Sequence, residues 1–449
     1  MQMFRSQQRT IKTWSALLFL ALLIPLIAAC GDDASPNQSG GGIPTAEIVT
    51  PSSDGLGESP TTASQPNTDS STGNTPSPQP GPADTTFPLK TPYLEFGVVT
   101  HLFYTDRERV LQLVQNAGFD WARQQVVWRD IEDPAQNLYA WDELDAIVAA
   151  ANAYGRKLLV NIVSSPSQYN PTNGLPSDPK TFGDFVEKMA QRYGNQIAAY
   201  EIWNEPNLAH ETGGQIVPED VGLYVEILME AYKRIKAVSP DAIVLAAASS
   251  STGVTDPAIA LSDEDFYRAM YSYRDGIVKD FFDVQAVHPG GAANPPDTLW
   301  PDNPSFIEGC VPAPTNCWND HPTHYFRHVE NVRGWMEEYG LGNHQIWITE
   351  YGWATENNTP GYEFGNYVSQ QQQADYITSA IRRAYDQYPW IGNMFLWNMN
   401  WAVLWGQQNP PQPLHEQASF GILNSDWSPR PSYLAVQSLI AELKVLEGR

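Results

Sequence analysis

From residue 89 onward, apolar positions switch repeatedly between short continuous runs, which fit buried strands, and i, i+3, i+4 stripes, which fit helices. The runs fall at 96–100, 121–127, 158–163, 199–205, 242–247, 282–287, 345–350 and 393–397. Between them lie stripes such as Val110, Leu113, Val114 and Ala117, stopped by Gly118, and Leu144, Ile147, Val148 and Ala151, stopped by Gly155. Further helices are predicted over 180–193 and 263–273, around Tyr224 to Ile235, Phe326 to Met336 and Tyr376 to Ile381, and at the end around Leu434 to Leu443. Eight strand–helix units are the number that closes a parallel sheet on itself, so the pattern predicts an α/β fold, a (β/α)8 TIM barrel over 89–449. An open doubly wound sheet is the alternative, but no Gly-rich turn follows the first strand. Two runs end on a carboxylate: Tyr200-Glu201-Ile202-Trp203-Asn204-Glu205-Pro206, where the proline blocks further ladder pairing, and Ile346-Trp347-Ile348-Thr349-Glu350. In a closed parallel barrel all strand ends open on one face, so Glu205 and Glu350 are expected in one mouth.

The chain before residue 89 has a different character. Arg5, Arg9 and Lys12 precede an apolar stretch at 14–29, an arrangement that predicts a signal peptide over 1–29. The run Leu26-Ile27-Ala28-Ala29-Cys30-Gly31 resembles a bacterial lipobox, which implies acylation of Cys30 and a lipid-anchored, extracytoplasmic place on a bacterial cell surface. Residues 30–88 are Ser, Thr, Pro, Gly, Asn and Asp with few large apolar side chains, too few to offset ordering entropy, so a disordered tether is expected there. In an exported chain the two remaining cysteines, Cys310 and Cys317, have the parity of one disulfide. They sit in a long Pro- and Trp-containing connection, 290–321, expected to form a rim over the mouth.

A formal net charge of −25 argues against nucleic acid and anionic lipid surfaces as partners and favours neutral or cationic ligands. The 15 Trp and 21 Tyr supply apolar faces for sugar rings, or simply a large core. No His-Glu-x-x-His, clustered Cys/His set, Walker loop or dinucleotide fingerprint is present, so neither a metal nor a cofactor is expected. The absence of a Gly-x-Ser-x-Gly elbow weakens a serine esterase reading.

The region from about Leu89 to Leu443 resembles the retaining (β/α)8-barrel glycoside hydrolase clan with catalytic glutamates on strands four and seven. The resemblance rests on Trp203-Asn204-Glu205-Pro206 and Thr349-Glu350-Tyr351-Gly352-Trp353. Within the clan it is closest to bacterial β-xylosidase-like or cellulase-like families. It implies an O-glycosyl hydrolase acting on an oligosaccharide or polysaccharide, with Glu205 as acid/base and Glu350 as nucleophile about 5 Å away. Their environments should then push the two pKa values apart, Glu205 protonated and Glu350 ionised. It further implies Asn204 on the sugar 2-hydroxyl, Trp397 as the floor under the reacting ring and His288 at the mouth. Arg123 is a candidate to hold the nucleophile ionised, or a structural ion pair. Trp128 is a wall of the site or core, and Trp353, Trp401 and His101 are candidates for further sugar contacts. Where the clan often follows such a histidine with a tyrosine, Pro289-Gly290-Gly291 stands instead, so Tyr351 or a loop tyrosine is expected to take its place. The rival readings are a carbohydrate-binding surface lipoprotein without turnover, and a transglycosylase.

Overall fold

The computed structural model describes residues 89–301 and 318–449. The expected signal peptide with Cys30, the tether, and the Cys310 and Cys317 pair lie outside the described residues. Eight parallel strands among the described residues close a barrel: β1 (Glu95–Val99), β2 (Trp121–Val127), β3 (Lys157–Val163), β4 (Ala199–Ile202), β5 (Ile243–Ala246), β6 (Val284–Val287), β7 (Gln345–Tyr351) and β8 (Ile391–Leu396). Each strand pairs with its neighbours in sequence, and β1 closes on β8 through Glu95 to Val98 against Asn393 to Leu396. One long helix follows each: α1 (Arg107–Asn116), α2 (Asp142–Ala153), α3 (Pro179–Tyr193), α4 (Val221–Val238), α5 (Asp263–Ser272), α6 (His328–Glu338), α7 (Gln370–Gln387) and α8 (Pro431–Leu446). Local chemistry sets their starts. The Asp106 side chain accepts from the Arg109 amide, Ser262 accepts from Asp265, Pro179 opens α3, and Ser369 with Gln372 forms a reciprocal capping box. Gly118 and Gly155, at φ +82° and +64°, end α1 and α2 in a backbone region that other residues adopt at a cost.

Two apolar layers result, because barrel strands are buried on both faces. The outer layer lies between strands and helices. The inner one is a plug in the barrel that includes Trp121, Leu159, Ala199, Ala286, Trp347 and Phe395. Phe395 occupies the space a Cβ on Gly97 would need. Side chains alternate along a strand, so residues two further on also face inward, one tier higher. That upper tier is polar except at Trp397, two beyond Phe395. Trp121 is succeeded by Arg123, Leu159 by Asn161, Ala199 by Glu201, Ala286 by His288, and Trp347 by Thr349.

The sequence pattern placed the strands to within a few residues. β4 stops at Ile202 rather than running to Glu205, and β8 starts at Ile391 rather than 393. It did not anticipate a small hairpin, Glu132–Asp133 against Leu138–Tyr139, or the short helices Ala209–Thr212, Trp401–Gly406 and Glu416–Ser419. Trp128 is core and not a wall of the site. It is fully buried beyond the end of β2, stacked on Tyr169 and Phe185 with its indole N–H donating to Glu132 Oε2 at 2.6 Å.

Candidate active site

The end of β4 presents Glu205 through an unusual backbone path. Trp203 and Glu205 have φ of +73° and +43°, each costing about 1–3 kcal/mol and persisting only because the surroundings enforce it. The enforcement is visible: Asn161 Nδ2 donates to the Trp203 carbonyl at 2.7 Å, and the Glu205 amide donates to the Ala248 carbonyl at 3.0 Å. The path swings the Trp203 ring into the outer core and leaves Glu205 partly exposed.

On β7 the device is different. Met394 and Leu396 of β8 pair with Ile348 and Tyr351, so two steps on one strand face three on the other. This bulge breaks the alternation. Ile348 and Tyr351 pack in the outer layer, while Thr349 and Glu350 both make contacts inside the barrel. Tyr351 is therefore removed from the mouth and does not replace the missing clan tyrosine.

Arg123 ties these elements together. Its buried guanidinium donates from Nε to Glu201 Oε2 at 2.7 Å, from one terminal nitrogen to Glu350 Oε1 at 2.6 Å, and from the other to Asn204 Oδ1 at 3.0 Å. Glu201, wholly buried, also accepts from the Thr349 hydroxyl at 2.9 Å. His288 closes the ring of contacts, with Nε2 3.0 Å from Thr349 Oγ1 and 3.9 Å from Glu350 Oε1, and Nδ1 2.9 Å from Glu205 Oε1. The two strand-end glutamates thus meet opposite nitrogens of one imidazole, each with 22% of its side chain exposed to the mouth.

The electrostatics correct one expectation. Burial pushes the Glu205 carboxyl up, but the hydrogen bond and charge of His288 outweigh it and hold it below its ordinary value. Burial raises Glu350 against the pull of His288 and Arg123, and the neighbouring Glu205 and Glu201 add to the rise. His288, lowered by burial alone, is raised by Glu350 and Glu205. The two carboxyls are pushed apart, in the opposite sense to that expected, because the imidazole sits closer to Glu205 than to Glu350.

Around them, Trp397 and Trp401 sit half-buried over the inner plug with ring centroids 4.8 Å apart, and His101 meets Trp401 edge-on at 5.8 Å. His101 and Asn400 hold each other by reciprocal backbone-to-amide bonds of 3.0 and 2.9 Å. Burial lowers the His101 imidazole to about 4, against a backbone hydrogen bond of Phe103, so it is neutral at ordinary pH. Trp353 does not reach the mouth. It is 1% exposed, packs on Phe326 and Tyr376, and donates to the Asn294 carbonyl at 2.9 Å. Among the described residues no group of three or more His, Cys, Asp or Glu is placed to hold a metal ion.

Residues 89–398 match the family described as Cellulase (glycosyl hydrolase family 5). The chain belongs to glycosyl hydrolase family 5. It is a glycosidase of the retaining (β/α)8 clan, and the cellulase-like alternative among the sequence resemblances is the one that holds. No curated protein matches it. A family 39 glycoside hydrolase from the gut symbiont Bacteroides cellulosilyticus WH2 is 21% identical with a TM-score of 0.54, over 79% of this chain and 64% of that one. A GH5_18 protein from Streptomyces cattleya in complex with GlcNAc is 16% identical with a TM-score of 0.56, over 78% and 80%. A glucosidase from Croceicoccus marinus is 15% identical with a TM-score of 0.54, over 78% and 68%. At these identities the likeness is one of fold.

In this family 5 site the glycine at 290 has a steric reason. A Cβ there would lie 1.8 Å from the Thr323 carbonyl oxygen, and one on Gly291 would press on the Trp353 indole. The Thr323–His324 backbone thus leaves no room for a side chain at 290. Tyr362, from the loop before α7, is the loop tyrosine that feels both glutamates: burial and then the charges of Glu416, Glu205 and Glu350 raise its hydroxyl.

Sequence reading missed three site residues. Glu201 was legible as a carboxylate inside an apolar strand, and Thr349 as the inward neighbour of Glu350. Glu211, on Ala209–Thr212, carried no signal. Its carboxyl accepts from the Asn204 amide, its carbonyl accepts from the Trp203 indole at 3.1 Å, and its exposure is 20%. Burial, Glu205 and Glu350 push it up to about 8 against that Asn204 bond.

Proposed function

We propose that the chain cleaves β-linked neutral glycans or glycosides by double displacement, with Glu350 as nucleophile and Glu205 as acid/base. The observation that carries this reading is the placing of Glu205 and Glu350 on opposite nitrogens of His288, with Arg123 locked onto Glu350. Glu350 attacks the anomeric carbon while Glu205 protonates the departing oxygen; water then displaces the sugar from Glu350, with Glu205 taking its proton. Arg123 keeps the attacking carboxylate aimed and charged, which a flexible counter-ion would not do. Asn204, held by Arg123 through its oxygen, bonds Glu211 through its amide nitrogen, and the 2-hydroxyl of the bound sugar competes with Glu211 for that nitrogen. Trp397 and Trp401 supply apolar faces for the sugar rings, and His101, as a neutral imidazole, a contact for their hydroxyls.

Glu350→Ala should abolish turnover of aryl β-glycosides. Glu205→Ala should spare cleavage of those with strongly acidic phenols, which leave without a proton, and lose those with poor leaving groups. Parental rates in Glu350→Ala on any of these substrates, or in Glu205→Ala on those with poor leaving groups, would refute the assignment. From the lipobox-like run and the cysteine parity of the sequence, we further propose that the chain is extracytoplasmic and held to a bacterial membrane through acylated Cys30 and the 30–88 tether, with Cys310 and Cys317 paired.

A further inference from the structure

We propose that Thr349 and Glu201 are positioning residues that fix the tautomer of His288 and thereby keep one transferable proton between His288 and Glu205. The inference rests on the double-displacement reading and deepens it.

Donor and acceptor capacities decide the matter. Glu201 lies against the Arg123 guanidinium at 2.7 Å and is an acceptor only. Thr349 Oγ1, 2.9 Å from Glu201 Oε1, must spend its single hydrogen there. Toward His288 the same hydroxyl can then only accept, so His288 Nε2, 3.0 Å away, carries a hydrogen. In a neutral imidazole that leaves Nδ1 bare. Nδ1 faces Glu205 Oε1 at 2.9 Å, and a bare nitrogen and an ionised carboxylate do not bond to each other. One proton therefore occupies that contact, either on Nδ1 opposite a carboxylate or on Glu205 opposite a neutral ring.

The charges facing this pair are Glu350 and Arg123 from β7 and β2, Glu201 from β4, and His210 and Glu211 from the short helix Ala209–Thr212, both of which interact with Glu205, while the Ser250 side chain also bonds Glu205. The Ser251 hydroxyl donates to the His288 backbone carbonyl at 2.6 Å and does not touch the ring. A substrate that covers the mouth removes water, and a less polar medium favours the neutral arrangement over the ion pair. The proton then sits on Glu205, ready for the departing oxygen. Had Thr349 donated to Nε2 instead, the ring hydrogen would lie on Nδ1, and Glu205 would have no acceptor to store its proton against.

The test is Thr349→Val, which keeps shape and removes the hydroxyl, beside Thr349→Ser, which keeps it. kcat/KM is read against pH for aryl β-glycosides with poor and with good leaving groups. Thr349→Val should lower kcat/KM at least about tenfold for the poor leaving group, spare the good one, and move the basic limb to lower pH, while Thr349→Ser behaves as the parent. Equal loss on both substrates, or an unmoved basic limb, overturns the proposal. Nitrogen NMR of the unaltered protein gives a second reading that needs no variant at this position. The His288 signals, assigned by their loss in His288→Gln, should show Nε2 protonated; a bare Nε2 overturns the inference. A Glu350→Ala enzyme with parental activity would instead bring down the underlying reading.

Discussion

Arg123 offers the sharpest perturbation, because one side chain serves three acceptors on β4, β7 and the turn between strand and helix. Arg123→Lys keeps the charge and removes the fork. An ammonium is a point donor, so it can reach Glu201 or Glu350 at the present spacing but cannot reproduce both contacts and the one to Asn204. Hydrogen bonds to charged groups contribute about 1.5–3 kcal/mol each, so losing one or two of the three should destabilise the fold by about 2–5 kcal/mol. Arg123→Met goes further. It leaves Glu201, with none of its side chain exposed, as a buried charge without its counter-ion, and falls at or beyond the about 3–5 kcal/mol seen when one member of a buried pair is removed. Catalysis should suffer more than stability suggests. Displacing a reacting carboxylate by about an ångström costs on the order of a hundredfold, and Arg123 is also one of the groups that hold Glu350 down against its burial. Weakening that contact raises the Glu350 titration, so the acid limb of kcat/KM should move to higher pH. Urea unfolding at pH 7 and pH–rate profiles of the parent, Arg123→Lys and Arg123→Met measure both effects. An Arg123→Lys enzyme with the parental unfolding midpoint and the parental acid limb would refute the reasoning, since the fork would then hold neither carboxylate.

Glu211, pushed up to about 8 from an ordinary 4.5, binds a proton in the folded chain that the unfolded chain releases. Its contribution to stability therefore declines as pH rises from about 4.5 to about 8, and Glu211→Gln should unfold later than the parent at pH 8–9, by on the order of a few kcal/mol, with little difference at pH 4; equal midpoints at pH 9 would contradict this. Trp128→Ala should lower stability by about 3–5 kcal/mol through the cavity it leaves, with KM for aryl glycosides unchanged in the folded fraction. A raised KM at parental stability would return Trp128 to the substrate.

What could be read in the chain was what repeats or what stops. The alternation of run and stripe marked all eight units, and Pro206 after Glu205 marked a strand end, because both follow from local backbone physics. Arg123 and His288 were visible as polar residues inside or at the end of apolar runs. The side on which a residue falls near a strand end was not legible. Trp128 comes one position after β2, where the chain turns into a short 3₁₀ segment and carries the indole outward to Tyr169 and Phe185. Tyr351 adjoins the nucleophile, yet the β7 bulge sends it to the outer layer. Neither the bulge nor the approach of Thr323 to Gly290 has a sequence signature, since both are set by partners distant in the chain. The direction of the two carboxyl shifts depends on how closely each one approaches the His288 ring, and no spacing encodes that.

The carbonyl of Thr323 over Gly290 makes the β6 turn and the 318–325 segment one unit of change. A bulkier residue at 290 would clash unless that segment retreats. Grafting the clan's usual tyrosine into this enzyme, or moving its substrate preference by loop exchange, therefore calls for both pieces to be swapped together. Libraries that vary position 290 alone will sample mainly clashes with the Thr323 backbone.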